Sequence, residues 1–348
     1  MRWDNLYLAG LGAYLPEAVE TAEEAIEAGR YTVEEHLSNG IRQVRVARVE
    51  DESPAEMAVA AARQALGRSG HSAGEFGLVV HGGTGHQGQE LWTPASYVQN
   101  NTVGGPGATA EVRQGSDSGL IGFELAASWV ASRPDTAALV TAGDSFHLPY
   151  FDRWTGDHQQ VFGDGAGAVV VSSRTGFARV LSSATVSDST LEPVYRGGPW
   201  TAGPFAEGRP VSLRARKLGY LSSRGGLLDE TVGRMTENLD QAVGQALRDA
   251  DCALGDVAYL VHANVGRPVV EWGFQKPLGF SPEQTVYEWG RDFGHMGAAD
   301  HFVNLNRLIE TAPLKVGDRV LTVGVGTGVV WTAVVLELLH LPFWAQQS

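Results

Sequence analysis

A single cysteine, Cys252, stands in the whole chain, which excludes an internal disulfide and suits a reducing compartment. Positive charge is scarce: 26 Lys and Arg face 40 Asp and Glu, giving a formal net charge of −14 and a pI near 5.1. A polyanion such as DNA is repelled by that balance, so nucleic-acid binding is not expected. Long apolar runs are missing as well. The stretch 329–339 falls short of the roughly 20 residues that cross a bilayer, and no basic segment followed by an apolar one opens the chain as a secretory signal would. His81, His86, His147 and His158 lie in or near loops and none pairs with a second ligand at metal spacing, so no metal site is expected. A soluble, cytoplasmic protein is the expectation.

What the chain does have is length, glycine and a repeated rhythm. Its 348 residues exceed what one hydrophobic core normally holds, which predicts two fused halves. The 44 glycines cluster in loops, as in α/β enzymes with tight strand-to-helix turns. Residues 6–11, 77–80, 137–141 and 168–171 read as buried strands, with helical patterns at 54–66 and 121–130 between them. Asp51 or Ser53 would cap the first helix, with Pro54 at its first position. The second half repeats the alternation: a long amphipathic helix at 231–250, a strand at 257–261, helices near 269–278 and 300–310, then strands at 319–323 and 329–337. This order predicts a duplicated, layered α/β/α/β/α architecture with halves at 1–172 and 173–348. The segment 173–230, richer in Gly, Ser and Arg, reads as a linker with a surface excursion.

Several spaced motifs carry a resemblance over almost the whole chain. They are Gly12–Pro16 (Gly-Ala-Tyr-Leu-Pro), Asn39–Arg42 (Asn-Gly-Ile-Arg) followed by Asp51 and Glu52, Phe162–Ala168 (Phe-Gly-Asp-Gly-Ala-Gly-Ala), and Gly324–Gly328 (Gly-Val-Gly-Thr-Gly) with Trp331. Alone, the last could be a fragment of a dinucleotide fingerprint, but it leads into a β-branched run rather than a helix. In this order and spacing the motifs resemble the ketoacyl synthase III family, which implies the thiolase fold. That family reads Asp-Leu-x-x-x-Cys-x-Gly at its nucleophile, with the cysteine at a helix N-terminus. Here the text is Glu111-Val-Arg-Gln-Gly-Ser-Asp-Ser-Gly119, and counting from Glu111 sets Ser116 on the cysteine. Ser118 is the competing position, and either serine could simply cap the helix.

A serine hydroxyl does not ionise near neutral pH and needs a general base, itself oriented by a third group. By the same resemblance His295 falls on the family's asparagine, and Asp300 stands five residues on, so that Ser116, His295 and Asp300 form a candidate triad. After the strand at 257–261 the family has Pro-His-Gln-Ala-Asn, whereas this chain reads Val261-His-Ala-Asn264. In the ungapped register Asn264 takes the family histidine's place; a one-residue shift leaves His262 near it. Asn264, His262 and Gly326 are therefore candidate auxiliary and oxyanion residues. The departures resemble a non-condensing branch of the family in polyketide and other antibiotic pathways, whose members move a short acyl group onto a carrier-protein thiol or a hydroxyl. Decarboxylating condensation and a non-catalytic role in a synthase complex are the rival readings.

The resemblance implies an acyl thioester as co-substrate, on coenzyme A or an acyl carrier protein, with no tightly bound cofactor. The family's Trp and Arg clamp on the coenzyme A adenine is replaced here by Glu34 and Ser38. Arg214, Arg216 and Lys217 either substitute for it or form an ordinary solvated cluster. His81, His86, His147 and His158 are read as surface or structural, and Cys252 as a half-buried structural thiol. A homodimer is expected, paired through the strand near 137–141.

Overall fold

The computed structural model describes residues 1–198, 210–223 and 228–345. Among these residues eleven strands form: β1 (Tyr7–Tyr14), β2 (Val19–Thr21), β3 (Gln43–Arg45), β4 (Phe76–Gly82), β5 (Ala108–Val112), β6 (Ala137–Asp144), β7 (Gly165–Ser172), β8 (Ala178–Ser187), β9 (Val257–Val261), β10 (Arg319–Gly326) and β11 (Val330–Leu338). The strands β2 and β3 make a small ribbon, and the other nine make one mixed sheet in the order β5-β4-β6-β7-β1-β8-β11-β10-β9. The principal helices are α1 (Pro54–Ser69), α2 (Pro94–Asn101), α3 (Ser118–Ala131), α4 (Leu228–Asp249) and α5 (Asp300–Thr311).

The sheet repeats itself across its middle. On one side β4 and β6 are parallel, β6 and β7 antiparallel, and β7 and β1 antiparallel. On the other, β9–β10, β10–β11 and β11–β8 show the same three relations in the same order. The two sides meet where β1 pairs with β8, at Tyr7↔Arg179 and Leu8↔Ala178. In each, one helix follows the innermost strand of the repeat (α1 after β1, α4 after β8), and another (α3, α5) lies on the opposite face.

Period-two burial sorts these faces. In β6, Leu139 joins the outer core with α1, whereas Ala138 and Val140 join the central core with α3 and α5. In β11, Trp331, Ala333 and Val335 face the α4 core, whereas Val334, Leu336 and Leu338 face the central one. The layers are therefore α1 with α2, half-sheet, α3 with α5, half-sheet, α4. This is the five-layer α/β/α/β/α architecture that the element order predicted, and the thiolase fold that the resemblance implied.

Local chemistry sets the helix ends. Ser53, not Asp51, caps α1: its hydroxyl takes the Glu56 N–H while the Glu56 carboxylate takes the Ser53 N–H at 3.0 Å. The helix lies on β1 through an alanine face (Ala58, Ala61, Ala62, Ala65). Contact is so close that a Cβ on Gly12 would stand 2.1 Å from the Ala61 carbonyl oxygen.

Two expectations are corrected. The strand near 137–141 is no subunit edge, because β6 is paired on both sides, with β4 and β7; the sheet's free margin on that side is β5. The segment 173–230 is not all linker either, because β8 is a ten-residue strand inside the sheet and Leu213–Ser223 is helical. Two of its parts, 199–209 and 224–227, lie outside the described residues. The helix expected at 269–278 is a continuous helical run from Arg267 to Leu278 with a π-helical turn at Glu271–Gln275. Among the described residues no helix is long and apolar enough to cross a membrane.

The seat of α1 is testable. Gly12→Ala pushes a methyl into the Ala61 carbonyl, a strain of about 1–3 kcal/mol, and should lower the thermal midpoint by about 3–6 °C. A midpoint equal to the parent's, followed by circular dichroism, would show that α1 does not rest there.

Candidate active site

The two central helices point their N-termini at the same place. Chain leaving β5 turns through Arg113–Asp117 into α3, with Gly115 at φ +58. Ser118 latches this turn: its buried hydroxyl accepts from the Gln114 N–H at 2.7 Å and donates to the Gly115 carbonyl at 2.6 Å. That frees Ser116, which is partly exposed, to present its hydroxyl outward.

Ser116 Oγ lies 2.7 Å from His295 Nε2, and His295 Nδ1 lies 2.5 Å from Asp300 Oδ2. A carboxylate accepts, so the Nδ1 position carries the ring proton and Nε2 is left to accept from the Ser116 hydroxyl. Asp300 is fully buried and opens α5, whose positive end favours its charge. It accepts further from the Met296 N–H at 2.7 Å, the Asn264 N–H at 2.7 Å and, at 3.3 Å, the Asn264 side-chain amide. The His295 backbone is fixed in turn by its N–H to the Val161 carbonyl, and its own carbonyl by the Gly163 N–H. The Phe162 ring packs 5.1 Å from the imidazole. The Phe162–Ala168 motif thus holds the histidine from behind.

The two auxiliary candidates separate. Asn264 reaches the line through Asp300, and its side-chain oxygen accepts from Asn304 at 2.8 Å. The His262 ring instead bonds the Ala263 carbonyl at 2.8 Å, stacks on Phe274 at 5.3 Å, and has an unpartnered Nε2. Burial pushes its pKa down to about 4. Gly326 packs under the serine turn, where a Cβ would stand 2.1 Å from the Gln114 carbonyl oxygen; the Gln114 side chain crosses to the Thr327 carbonyl at 2.8 Å.

Other residues of the site escaped sequence reasoning. Asn304 follows Asp300 by four residues, one helical turn, which was a usable signal. Asp144 ends β6 and takes the N–H groups of Thr84, Gly85 and Ala298 at 2.8–2.9 Å, tying the 83–85 loop to the start of α5. Burial raises its carboxyl despite these donors. Asp117, directly after the nucleophile position, is wholly buried.

The basic residues weighed as donor anchors already have partners. Arg214 binds Glu35 at 3.0 Å, Lys217 binds Asp157 at 2.5 Å, and Arg216 donates to the Tyr195 carbonyl at 3.0 Å. Glu34, Ser38 and Arg214 line a cavity of about 280 Å³. A larger one, about 1070 Å³, is walled by the 83–92 loop, residues 111–113 and Tyr150, and its lining includes neither Ser116 nor His295. His81 is structural, bonded to Thr141 and Gln87 at 2.9 Å each.

Comparison with known proteins gives the family. Residues 110–189 match 3-oxoacyl-(acyl-carrier-protein) synthase III, and residues 247–338 match the C-terminal part of the same enzyme. A solved structure named ChlB3, described as an acyltransferase, is 34% identical, with a TM-score of 0.89 over 97% of this chain and 99% of that one. The chain belongs to the synthase III-like thiolase family. Another member, the β-ketoacyl-(acyl-carrier-protein) synthase III of Clostridium beijerinckii, is 25% identical over 337 residues, 96% of this chain and 99% of its own. The synthase III of Aquifex aeolicus shares the fold at 21% identity and a TM-score of 0.78, over 95% of this chain and 99% of that one. Within the family the matched stretch 110–189 carries Ser116, and 247–338 carries Asn264, His295 and Asp300.

Burial also pushes the His301 pKa down to about 4. A histidine depressed in the folded state is protonated more readily when unfolded, so stability is withdrawn as pH falls from 6.5 toward 4. In His301→Gln, unfolding should take up about one proton fewer in that window, flattening the stability curve by about 1.4 kcal/mol per pH unit. Urea titrations across that range would show it; equal slopes in parent and variant would refute it.

Proposed function

We propose that the protein is an acyltransferase that passes a short acyl group through an ester on Ser116. The observation that supports this most is the continuous line from Ser116 Oγ to His295 Nε2 and from His295 Nδ1 to Asp300. His295 removes the Ser116 proton as Oγ attacks the thioester carbonyl, and the tetrahedral oxyanion faces the N-terminal N–H groups of the α3 turn and the 326–328 turn. The carbon–sulfur bond breaks, the departing thiolate takes the proton from His295, and acyl-Ser116 remains. A carrier-protein thiol or a hydroxyl then gives its proton to His295 and attacks the ester, restoring Ser116. Asn264 serves by fixing Asp300, and Gly326 by letting the two turns close on each other.

Transfer without carbon–carbon bond formation is favoured by His262, whose ring faces Ala263 and Phe274 rather than Ser116. The likeness to ChlB3 points the same way. In this reading the 1–172 half supplies the nucleophile and the 173–348 half the base. The donor is acyl-CoA or an acyl carrier protein, no cofactor is tightly held, and the setting is cytoplasmic polyketide or other antibiotic biosynthesis. Two copies would pair as a homodimer through the open margin at β5.

Intact-mass measurement after mixing with acyl-CoA or acyl carrier protein tests the reading. Ser116→Ala should gain no acyl mass, Ser118→Ala should keep most of it, and His295→Ala should slow acylation by several orders of magnitude. Asp300→Asn should slow it about 10⁴-fold, since an amide neither fixes the tautomer nor stabilises the imidazolium. Acylation of Ser118, or of no residue, would overturn the reading. Carbon dioxide released from malonyl carrier protein would replace transfer with condensation.

A further inference from the structure

Next to the nucleophile lies a carboxyl group that the reaction above does not use. Asp117 is fully buried at the start of α3. β10 faces it with Gly324 and Gly326, where added Cβ atoms would stand 2.0 Å from its Oδ1 and 2.8 Å from its Cβ. β11 faces it with Thr332, whose Oγ1 is 2.6 Å from Asp117 Oδ2. The other oxygen, Oδ1, has no partner. Among the described residues no cation reaches this carboxyl and no N–H group bonds to it, in contrast to Asp144 and Asp300, each held by three amide N–H groups or more. The charged group that acts on it is Glu124, about two helix turns along α3, whose like charge also raises the carboxyl.

The oxygens continue outward in a chain. Thr332 Oγ1 is 3.0 Å from Thr185 Oγ1, and Thr185 donates to the half-buried Glu124 at the protein surface. Three contacts join four groups, two carboxyls and two hydroxyls, and each contact needs one proton. The hydroxyls supply only two. Thr185 spends its proton on Glu124, so Thr332 must donate to Thr185, and Thr332 then has none left for Asp117. The third proton belongs to Asp117, whose buried site offers an ionised carboxylate nothing to solvate it. A neutral acid also tolerates one unpartnered carbonyl oxygen far better than a carboxylate does.

We propose that Asp117 is a neutral carboxylic acid, donating to Thr332, that positions the Ser116 turn and keeps the positive end of α3 uncancelled where negative charge develops. It is a positioning residue: an ionised Asp117 one residue from Ser116 would oppose the oxyanion that α3 otherwise favours. Burial, which raises this carboxyl well above the usual carboxylate range, acts in the same direction. The role rests on the acyl-serine reading; the protonation state does not.

Infrared difference spectroscopy separates the two. In a Ser116→Ala background, which cannot be acylated, the spectrum with Asp117 minus that with Asp117→Asn at pH 8 should contain a carboxylic-acid carbonyl band. Its absence overturns the proposal whatever the fate of the acyl-serine. Thr185→Val, at an exposed position, frees the Thr332 proton to donate to Asp117, so the band should vanish at lower pH than in the parent; an unchanged midpoint also overturns it. For the role, Asp117→Ala should slow acylation by at least about tenfold with donor affinity unchanged, and Asp117→Asn, whose amide can donate to Thr332, should restore it to within about threefold. Asparagine as slow as alanine, or alanine as fast as the parent, would remove Asp117 from the site.

Discussion

The burial of one carboxylate, Asp300, organises this molecule. Removing a charge from water costs several kcal/mol unless hydrogen bonds replace the lost hydration. Here the replacement comes from the Met296 and Asn264 amides, the Asn264 side chain and the His295 ring. The donors sit on two pieces of chain, the 262–265 segment after β9 and the loop before α5, while Asp300 itself opens α5. Satisfying Asp300 therefore forces these pieces into register. The same bonds fix the imidazole so that its other nitrogen meets Ser116, which arrives from the opposite half of the fold. Stability and chemistry draw on one set of contacts, and the Asn304 bonds to Asn264 and the His262 carbonyl extend it.

Much of this was legible in the sequence because the signals were local. The resemblance set Ser116 and His295 on two of the family's site positions, with Asp300 five residues on, and the structure brings those three side chains together. The alanine face of α1 and the apolar runs of β6, β7 and β11 announced buried elements. What stayed hidden depends on rotation or on long-range partners. Whether His262 or Asn264 faces the site is decided by which side chain the bend after β9 turns inward. β8 was masked by its own chemistry: Ser182 and Ser183 look like loop residues, yet both are buried and bonded, to the Ala246 carbonyl at 2.6 Å and by the Trp3 indole at 3.1 Å. A strand whose polar groups are satisfied by distant partners carries no alternation to read. The margin of the sheet was misplaced for the same reason, since an isolated apolar run does not reveal how many neighbours it has.

Replacing a cysteine by a serine moves the burden from the nucleophile to its surroundings. A thiol can ionise by itself at a helix N-terminus, whereas a hydroxyl cannot, so the base and its carboxylate must be built in. The family fold accommodates this without new elements. His295 and Asp300 lie on the loop and first turn ahead of α5, the counterpart in the second half of the α3 start that bears Ser116. Duplication supplied two equivalent helix starts; Ser116 stands at one, and His295 with Asp300 at the other.

Both helix starts act through peptide dipoles, and that has an electrical consequence for an acidic protein. With a net charge of −14, the chain as a whole repels anionic donors at long range, a repulsion that dissolved salt screens over about 10 Å. The potential at Ser116 has a different origin. It comes from aligned N–H groups at the head of α3, which carry no titratable proton and lie too close to the reacting atoms for mobile ions to intervene. Encounter and chemistry are thereby decoupled: ionic conditions govern how often a donor arrives, while the field it meets on arrival is a fixed property of the backbone.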